Sequence, residues 1–161
     1  ILKGNIMSAE RIEQIYADKY NTTTTSRKNI GDIYVDDVPI NIKSNDVNGE
    51  NYSPNLMSAD KLFDYLSDSN NELKFMFVDY ENDGDEIVIL NERLVNAEHI
   101  SWDCLSIQCQ GRGVIQVSSS LKIDETQTRE EFLKGFSPAY EQYLGKEREK
   151  LNTLEEKYAN A

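Results

Sequence analysis

The feature that most constrains the fold is a pair of short alternating runs on either side of two consecutive aspartates, within GDIYVDDVPINIKS (31–44). Apolar residues occupy every second position on both sides, which is the period of a half-buried strand. These residues are Ile33, Val35, Ile40 and Ile42. Because aspartate suits tight turns, the stretch predicts a β-hairpin with strands at 30–36 and 38–43.

The remainder of the chain predicts helices and strands in alternation. Ser8 is expected as the N-cap of the first helix. Helices are expected at about 8–20, 58–68 and 126–158, the last interrupted near 135–138, and strand pairs around ENDGDE (81–86) and GRG (111–113). Intermixed helices and strands predict an α/β or α+β fold, and we expect the α/β form, with a mixed central β-sheet flanked by helices. A length of 161 residues predicts one domain, 1–161.

The charge and the cysteines restrict the classes of function. A formal net charge of -12 argues against nonspecific nucleic-acid binding through a basic surface. A local basic cleft could still offset this charge, because Arg27 and Lys28 precede the hairpin. Cys104 and Cys109 have an odd spacing, which places them on opposite faces of a strand. Free buried thiols in a reducing cytoplasm are therefore expected, and no signal peptide or membrane span is evident.

Several chemistries are excluded by residue type. His99 is the only histidine, so a two-histidine zinc site is impossible, and no nucleophile motif lies nearby. No glycine-rich phosphate loop or CxxC pair occurs. The ENDGDE turn resembles a calcium loop, but Leu90 stands where the bidentate glutamate belongs. An ordinary hairpin turn is expected there.

The residues of the first hairpin permit phosphodiester chemistry. Asn41 and Lys43 are two apart on one strand and share a face, and Asp32 on the adjoining strand can reach the same place. An acid that binds Mg²⁺ beside a lysine that orients water suits phosphodiester hydrolysis. The same trio is also typical of a solvated hairpin face, so the pattern alone leaves both interpretations open.

Four blocks of the sequence together resemble the PD-(D/E)XK nuclease core, and specifically restriction endonucleases of the HincII type. They occur in the order of that family. The blocks are ERIEQIY (10–16), the hairpin stretch, NYSPNLMSADKL (51–62), and ISWDCLSIQCQGRG (100–113) with TREEFLKGF (128–136).

The resemblance implies a metal site at the hairpin. Asp32 matches the first metal-binding acid and Lys43 the motif lysine, while the Ile42 carbonyl would be a further metal ligand. Glu10 or Glu13 would support the site from the first helix. Mg²⁺ is the expected cofactor, and Mn²⁺ could substitute for it.

Asn41 departs from the family pattern, which has a second acid at this position. An amide oxygen can coordinate Mg²⁺ but brings no charge, so metal affinity and water activation should both fall. Three explanations stay open: an inactivating replacement, a natural variant in which a helix glutamate supplies the charge, or a protein that binds DNA without cutting it.

The resemblance also implies a DNA-reading loop. Asn55 matches an asparagine that hydrogen-bonds a base edge, and Tyr52 falls where the family inserts a side chain into the base stack. Ser53 and Pro54 would shape the loop. Three polar residues of the later strands could also reach DNA, although their alternation fits plain solvent-facing positions equally well: Gln108, Gln110 and Arg112.

The implied function is that of a Type II restriction enzyme. Such a protein would cut both strands of a short palindromic site as a homodimer, by attack of metal-activated water, in the bacterial cytoplasm at the nucleoid. No membrane and no nucleotide cofactor are expected. The alternative is a catalytically impaired or inactive sequence-specific DNA-binding protein of the same fold, and a more distant one is an acidic interaction protein.

Overall fold

The computed structural model describes residues 2–26, 29–49, 53–108 and 110–161, with side chains described from Ser8 onward. Eleven α-helices and β-strands lie in these ranges. In chain order they are α1 (Leu2–Lys19), β1 (Ile33–Val35), β2 (Val38–Asp46), β3 (Asn55–Ser58), α2 (Ala59–Ser67), β4 (Lys74–Asp83), β5 (Glu86–Asn96), β6 (Leu105–Gln108), β7 (Val114–Val117), α3 (Arg129–Lys134) and α4 (Phe136–Ala159).

The chain divides into two compact units. Unit 1 comprises Ile1–Tyr52 with Asn70–Ala97, and unit 2 comprises Ser53–Ser69 with Glu98–Ala161. Helices and strands intermix along the chain, so the fold is mixed α/β, as predicted. Within the described ranges, no helix has the length and apolar character needed to cross a membrane.

Unit 1 contains a mixed four-stranded sheet covered by α1. The strand order is β1-β2-β4-β5, with β2 and β4 parallel and the other two pairs antiparallel. Ile12 and Tyr16 lie one helical turn apart on α1, and both pack against the buried face of the sheet. The strand residues of this core are Ile33, Ile40, Ile42, Met76, Val78 and Tyr80.

The β1–β2 hairpin is confirmed, together with its turn. Asp36 and Asp37 both have positive φ angles, so both adopt the left-handed conformation of a type I′ turn. This turn has the twist that two antiparallel strands require. The second strand extends to Asp46, beyond the predicted end at 43, because it continues to pair with β4.

The start of the first helix was predicted wrongly. Helix α1 begins at Leu2 rather than at Ser8. Ser8 is buried inside the helix and hydrogen-bonds to Tyr80 instead of capping a helix end. A serine hydroxyl used in a tertiary contact gives no capping signal, so the sequence pattern was misleading here.

Unit 2 combines a small antiparallel sheet of order β3-β7-β6 with three helices. Ser58 caps α2 by accepting from the Lys61 amide, and Thr128 caps α3 in a capping box with Glu131. The predicted helix interruption is confirmed at Gly135. A Cβ there would meet the Trp102 ring at 2.2 Å, so only glycine permits this close approach.

Strand β3 was not predicted. The segment around Asn55 was expected to be a loop, yet Asn55 pairs with Gln116 of β7. Only Leu56 among the four residues of β3 is buried, and a bulge separates Asn55 from Met57. Such a short, irregular strand lacks the alternation that reveals longer ones, and it forms because β7 supplies backbone partners.

Candidate active site

Asp32 is held at the open end of the first hairpin by its backbone and its carboxylate. Its amide donates to the Ile40 carbonyl at 2.8 Å, and its carbonyl accepts from the Thr25 amide at 2.9 Å. The carboxylate oxygen Oδ2 accepts from the Ile42 amide at 2.6 Å. The Asp32 carboxylate thus takes the place of a backbone carbonyl as the acceptor for the Ile42 amide of β2. This hydrogen bond fixes the position of the carboxylate.

Helix α1 brings a second carboxyl group to Asp32. The Glu13 side chain hydrogen-bonds to that of Asp32. Burial, the Asp32 charge and this hydrogen bond, with a smaller contribution from Glu10, raise the pKa of Glu13 to about 7, while Lys43 acts in the opposite direction. Two carboxyl groups in hydrogen-bond contact hold one proton between them in preference to two negative charges.

Lys43 supplies a largely buried ammonium group beside this pair. Desolvation lowers the pKa of Lys43, while the charges of Asp32 and Glu13 act to raise it. Along β2, Lys43 shares a face with Asn41, since the two residues are separated by one position. The predicted grouping of Asp32 with Lys43 is therefore present in unit 1.

Asn41 has one satisfied and one unsatisfied polar atom. Its Nδ2 donates to the Ile30 carbonyl at 3.1 Å. Its Oδ1 is buried and has no hydrogen-bond partner within the part of the chain that the structure describes. A buried acceptor without a partner costs about 1–3 kcal/mol, so this oxygen is available to a cation or a water molecule.

A cavity of about 620 Å³ opens beside the carboxyl pair. Glu10, Glu13 and Asp32 are on its wall, and the stretch 24–26 contributes further lining. Because Thr25 bonds to the backbone of Gly31 and Asp32, it fixes the site, and no local sequence signal indicated this.

The donor atoms of this cluster are of the kind that Mg²⁺ prefers. Across residues 8–26, 29–49, 53–108 and 110–161, no group of three or more His, Cys, Asp or Glu residues stands close enough to hold a metal ion. The cluster instead supplies the carboxyl groups of Asp32 and Glu13. Mg²⁺ is bound in proteins through one or two carboxylates with water and other oxygens, so this set fits it.

The predicted DNA-contacting residues that the structure describes belong to unit 2. Asn55 is exposed at the start of β3, and its register partner Gln116 is in turn paired with Ser106 of β6. Register partners share a face, so these three form a polar row across the sheet. Gln108 adjoins the row by donating to Ser106 Oγ at 2.7 Å.

Gln116 was missed by the sequence analysis. Its side chain donates to the Ser53 carbonyl at 3.2 Å, which ties β7 to the segment before β3. The alternation in VIQVSSS, which places Gln116 between buried Ile115 and Val117, was the signal that could have found it.

Arg112 and Gln110 lie in the exposed turn between β6 and β7. Arg112 forms an ion pair with Asp60 at 3.2 Å, but its side chain is 87% exposed. An ion pair this exposed contributes little and would exchange readily for a phosphate group. Tyr52 lies outside the described residues, as do Arg27, Lys28 and Cys109. Cys104 is a buried free thiol, as expected.

Comparison of the chain with protein-family models and with curated proteins finds no match.

Proposed function

We propose that this chain is a Mg²⁺-dependent, sequence-specific double-strand DNA endonuclease with a restriction-endonuclease-like core, acting as a homodimer on a short palindromic site. The observation that carries the proposal is the hydrogen-bonded Asp32–Glu13 carboxyl pair beside the partly buried Lys43. Perturbed ionisable groups beside a cavity are typical of active sites.

The same cluster fits a divalent cation. Asp32, Glu13 and the Asn41 Oδ1 atom would hold it, and the proton held by the carboxyl pair would be released when it binds. The Ile42 amide points toward Asp32, and the carbonyl of a strand residue points to the same side as its amide. We therefore expect the Ile42 carbonyl to contribute as well.

Bound Mg²⁺ would polarise the scissile phosphate and lower the pKa of water. Glu13 would be a ligand of the cation in this arrangement, so the attacking water would release its proton to solvent. The water oxygen attacks phosphorus in line, and the bond from phosphorus to the 3′ oxygen breaks. The products are a 5′-phosphate and a 3′-hydroxyl, which takes its proton from solvent. Lys43 orients the water and stabilises charge on the phosphate.

We propose that the amide at position 41 is the natural residue. Its Nδ2 donates to the Ile30 carbonyl, a bond that an ionised carboxylate could not make. In this interpretation Glu13 supplies the charge that the family places at position 41. The amide lowers metal affinity relative to an acid, so Mg²⁺ binding in the millimolar range, or better activity with Mn²⁺, is expected.

Sequence selectivity is proposed to come from unit 2. The exposed Asn55 amide can pair with adenine in bidentate fashion, and Arg112 is free to exchange Asp60 for a phosphate. Tyr52 is retained as the inserted side chain on the resemblance alone. The protein would act on DNA in the bacterial cytoplasm.

The deciding experiment compares plasmid cleavage by the native chain and by Asn41→Asp, in Mg²⁺ and in Mn²⁺. Asn91→Asp, at an exposed position of β5, adds the same charge away from the site and is the matched control. Cleavage by the native chain that rises at least about tenfold in Asn41→Asp but not in Asn91→Asp supports the proposal. Absence of cleavage by all three proteins in both metals overturns it.

A sequence-specific DNA-binding protein with an impaired site is the second candidate, and the neutral Asn41 favours it. It predicts selective binding of one DNA sequence without nicking. A binding-site selection on random duplexes identifies that sequence, and Asn55→Ala should then weaken binding by about 1–3 kcal/mol. Selective binding that survives Asn55→Ala would contradict the role of Asn55.

A further inference from the structure

Helix α4 carries a regular, mostly apolar stripe whose residues are exposed or half-buried along its length. Positions along the stripe are separated alternately by four and three residues, which is the heptad spacing of a coiled-coil seam. The stripe, here called the α4 stripe, consists of Tyr140, Leu144, Glu147, Leu151, Leu154 and Tyr158.

Two of the three residues in the second half of the α4 stripe are exposed, and Leu154 between them is half-buried. Leu151 is 60% exposed and Tyr158 is 68% exposed, although both are large apolar side chains. After Phe136, α4 has no fully buried residue. A helix that presents leucines at heptad spacing to water gains stability only when another surface covers them.

We propose that the α4 stripe binds the α4 stripe of a second copy of this chain, as a parallel, in-register coiled coil. Leu144, Leu151 and Tyr158 take the a positions of the heptad. Tyr140, Glu147 and Leu154 take the d positions. The proposal names the surface of the homodimer, and it does not depend on nuclease activity.

The flanking charges identify a second copy as the partner and fix its direction. Lys150 occupies a g position and Glu155 the e position of the following heptad, and both are exposed. In a parallel dimer these two positions meet across the interface, so symmetry gives two Lys150–Glu155 ion pairs. The helix is therefore complementary to itself in charge as well as in apolar pattern.

An antiparallel arrangement is electrostatically unfavourable. The antiparallel register that keeps the whole stripe paired sets Leu144 opposite Leu154. In that register Arg148 faces Arg148 of the other copy, and Lys150 faces Lys150. Like charges at these flanking positions destabilise a coiled coil, so the flanking charges favour the parallel arrangement.

Glu147 is the one charged member of the α4 stripe. In the parallel dimer it meets its own copy at a d position, where two carboxylates repel each other. The dimer should therefore be reversible, and replacement of Glu147 by leucine should strengthen it. Variants of the α4 stripe can therefore test the proposal in both directions, because some should strengthen dimerisation and others should weaken it.

Sedimentation velocity of the full chain over a range of concentrations tests the proposal. Glu147→Leu should lower the dimer dissociation constant by about tenfold or more, and Leu151→Asp should raise it by a similar factor. Thr153→Asp, which places the same new charge on the outer face of α4, is the control and should leave it unchanged. Circular dichroism checks that each variant is folded.

Charge reversal tests the direction of the helices. Lys150→Glu and Glu155→Lys should each weaken the dimer severalfold, and the double variant should restore it. A chain that stays monomeric even as Glu147→Leu, or a double variant weaker than both singles, overturns the proposal. Because association is measured by mass and not by cleavage, this failure is distinguishable from failure of the nuclease proposal.

Discussion

The two β-hairpins of unit 1 both carry acidic residues, but only one of them forms a candidate site. The β4–β5 hairpin has Asp83, Asp85 and Glu86 at its turn, and all three are exposed. The β1–β2 hairpin places a single acid, Asp32, in contact with the Ile42 amide and Glu13. The turn acids of both hairpins, including Asp36 and Asp37, are exposed, so the site forms only where Asp32, at the open end of the first hairpin, meets α1.

The difference lies in solvation. Exposed carboxylates keep their water and are screened by salt, so their proximity to one another has small consequences. Carboxyl groups that are partly removed from water must share protons or find cations, as the raised pKa of Glu13 shows. The number of acidic residues in a stretch of sequence is consequently a weaker indication of function than the burial of one or two of their carboxyl groups.

The largest effect is expected on catalysis. In the Asn41→Asp background, Asp32→Asn should reduce Mg²⁺-dependent plasmid cleavage by about 10²-fold or more, because it removes the anchored metal-binding charge. Asp83→Asn makes the same change on the exposed hairpin and should have no effect. Single-turnover cleavage at saturating DNA measures both. Equal losses in the two variants would contradict the distinction between the hairpins.

The next effect is on stability, because the core of unit 1 lies beneath the first hairpin. Ile33 is fully buried, whereas Val88 on β5 is 36% exposed. Ile33→Ala should lower the free energy of unfolding by about 2–5 kcal/mol, while Val88→Ala should cost less than about 1 kcal/mol. Urea denaturation followed by circular dichroism measures both, and similar losses would show that the hairpins are equally embedded.

A smaller effect is expected from Glu13 through pH. Its pKa is about 7 in the folded chain against 4.5 in the unfolded one, so between these values the folded state binds more protons. The contribution of Glu13 to the free energy of unfolding therefore falls as pH rises from 4.5 to about 7. Glu13→Gln removes this pH dependence. The free energy of unfolding of the variant, relative to that of the native chain, should therefore be higher at pH 8 than at pH 4.5, by about 1 kcal/mol after solvent screening.

Glu86→Gln, on the exposed hairpin, is the control for this measurement. Its stability relative to the native chain should change little between the two pH values. Urea denaturation in EDTA at both values gives the comparison. If Glu13→Gln instead gains stability at the lower pH, the protonated carboxyl pair is not present in the folded protein.

The fold was predictable from the sequence where periodicity is strong. The alternation around Asp36 and Asp37 predicted the first hairpin, and the helix break at Gly135 was visible in the sequence. Strand β3 was not, because four residues with one buried side chain carry too little pattern. Short-range sequence patterns therefore predicted the elements whose stabilising contacts are close in sequence.

The candidate site was predictable in its residue types and not in its contacts. Asp32 and Lys43 follow from the hairpin register. The bond from Asn41 to the Ile30 carbonyl and the role of Thr25 depend on a loop whose path tertiary packing decides. The contact between Glu13 and Asp32 depends on the docking of α1, which no local pattern specifies.

The smallest effect is expected at the two turns, where the hairpins differ in the residue that adopts a left-handed conformation. Asp37 and Gly84 both have positive φ angles of similar size, and only glycine adopts such angles without steric cost. Asp37→Gly should raise the free energy of unfolding by a few tenths to about 1 kcal/mol, because Asp-Gly suits a type I′ turn. Gly84→Ala should lower it by about 1 kcal/mol. Urea denaturation midpoints show whether each variant is more or less stable than the native chain. A loss of stability in Asp37→Gly would mean that the contacts of the Asp37 side chain outweigh the cost of its left-handed backbone.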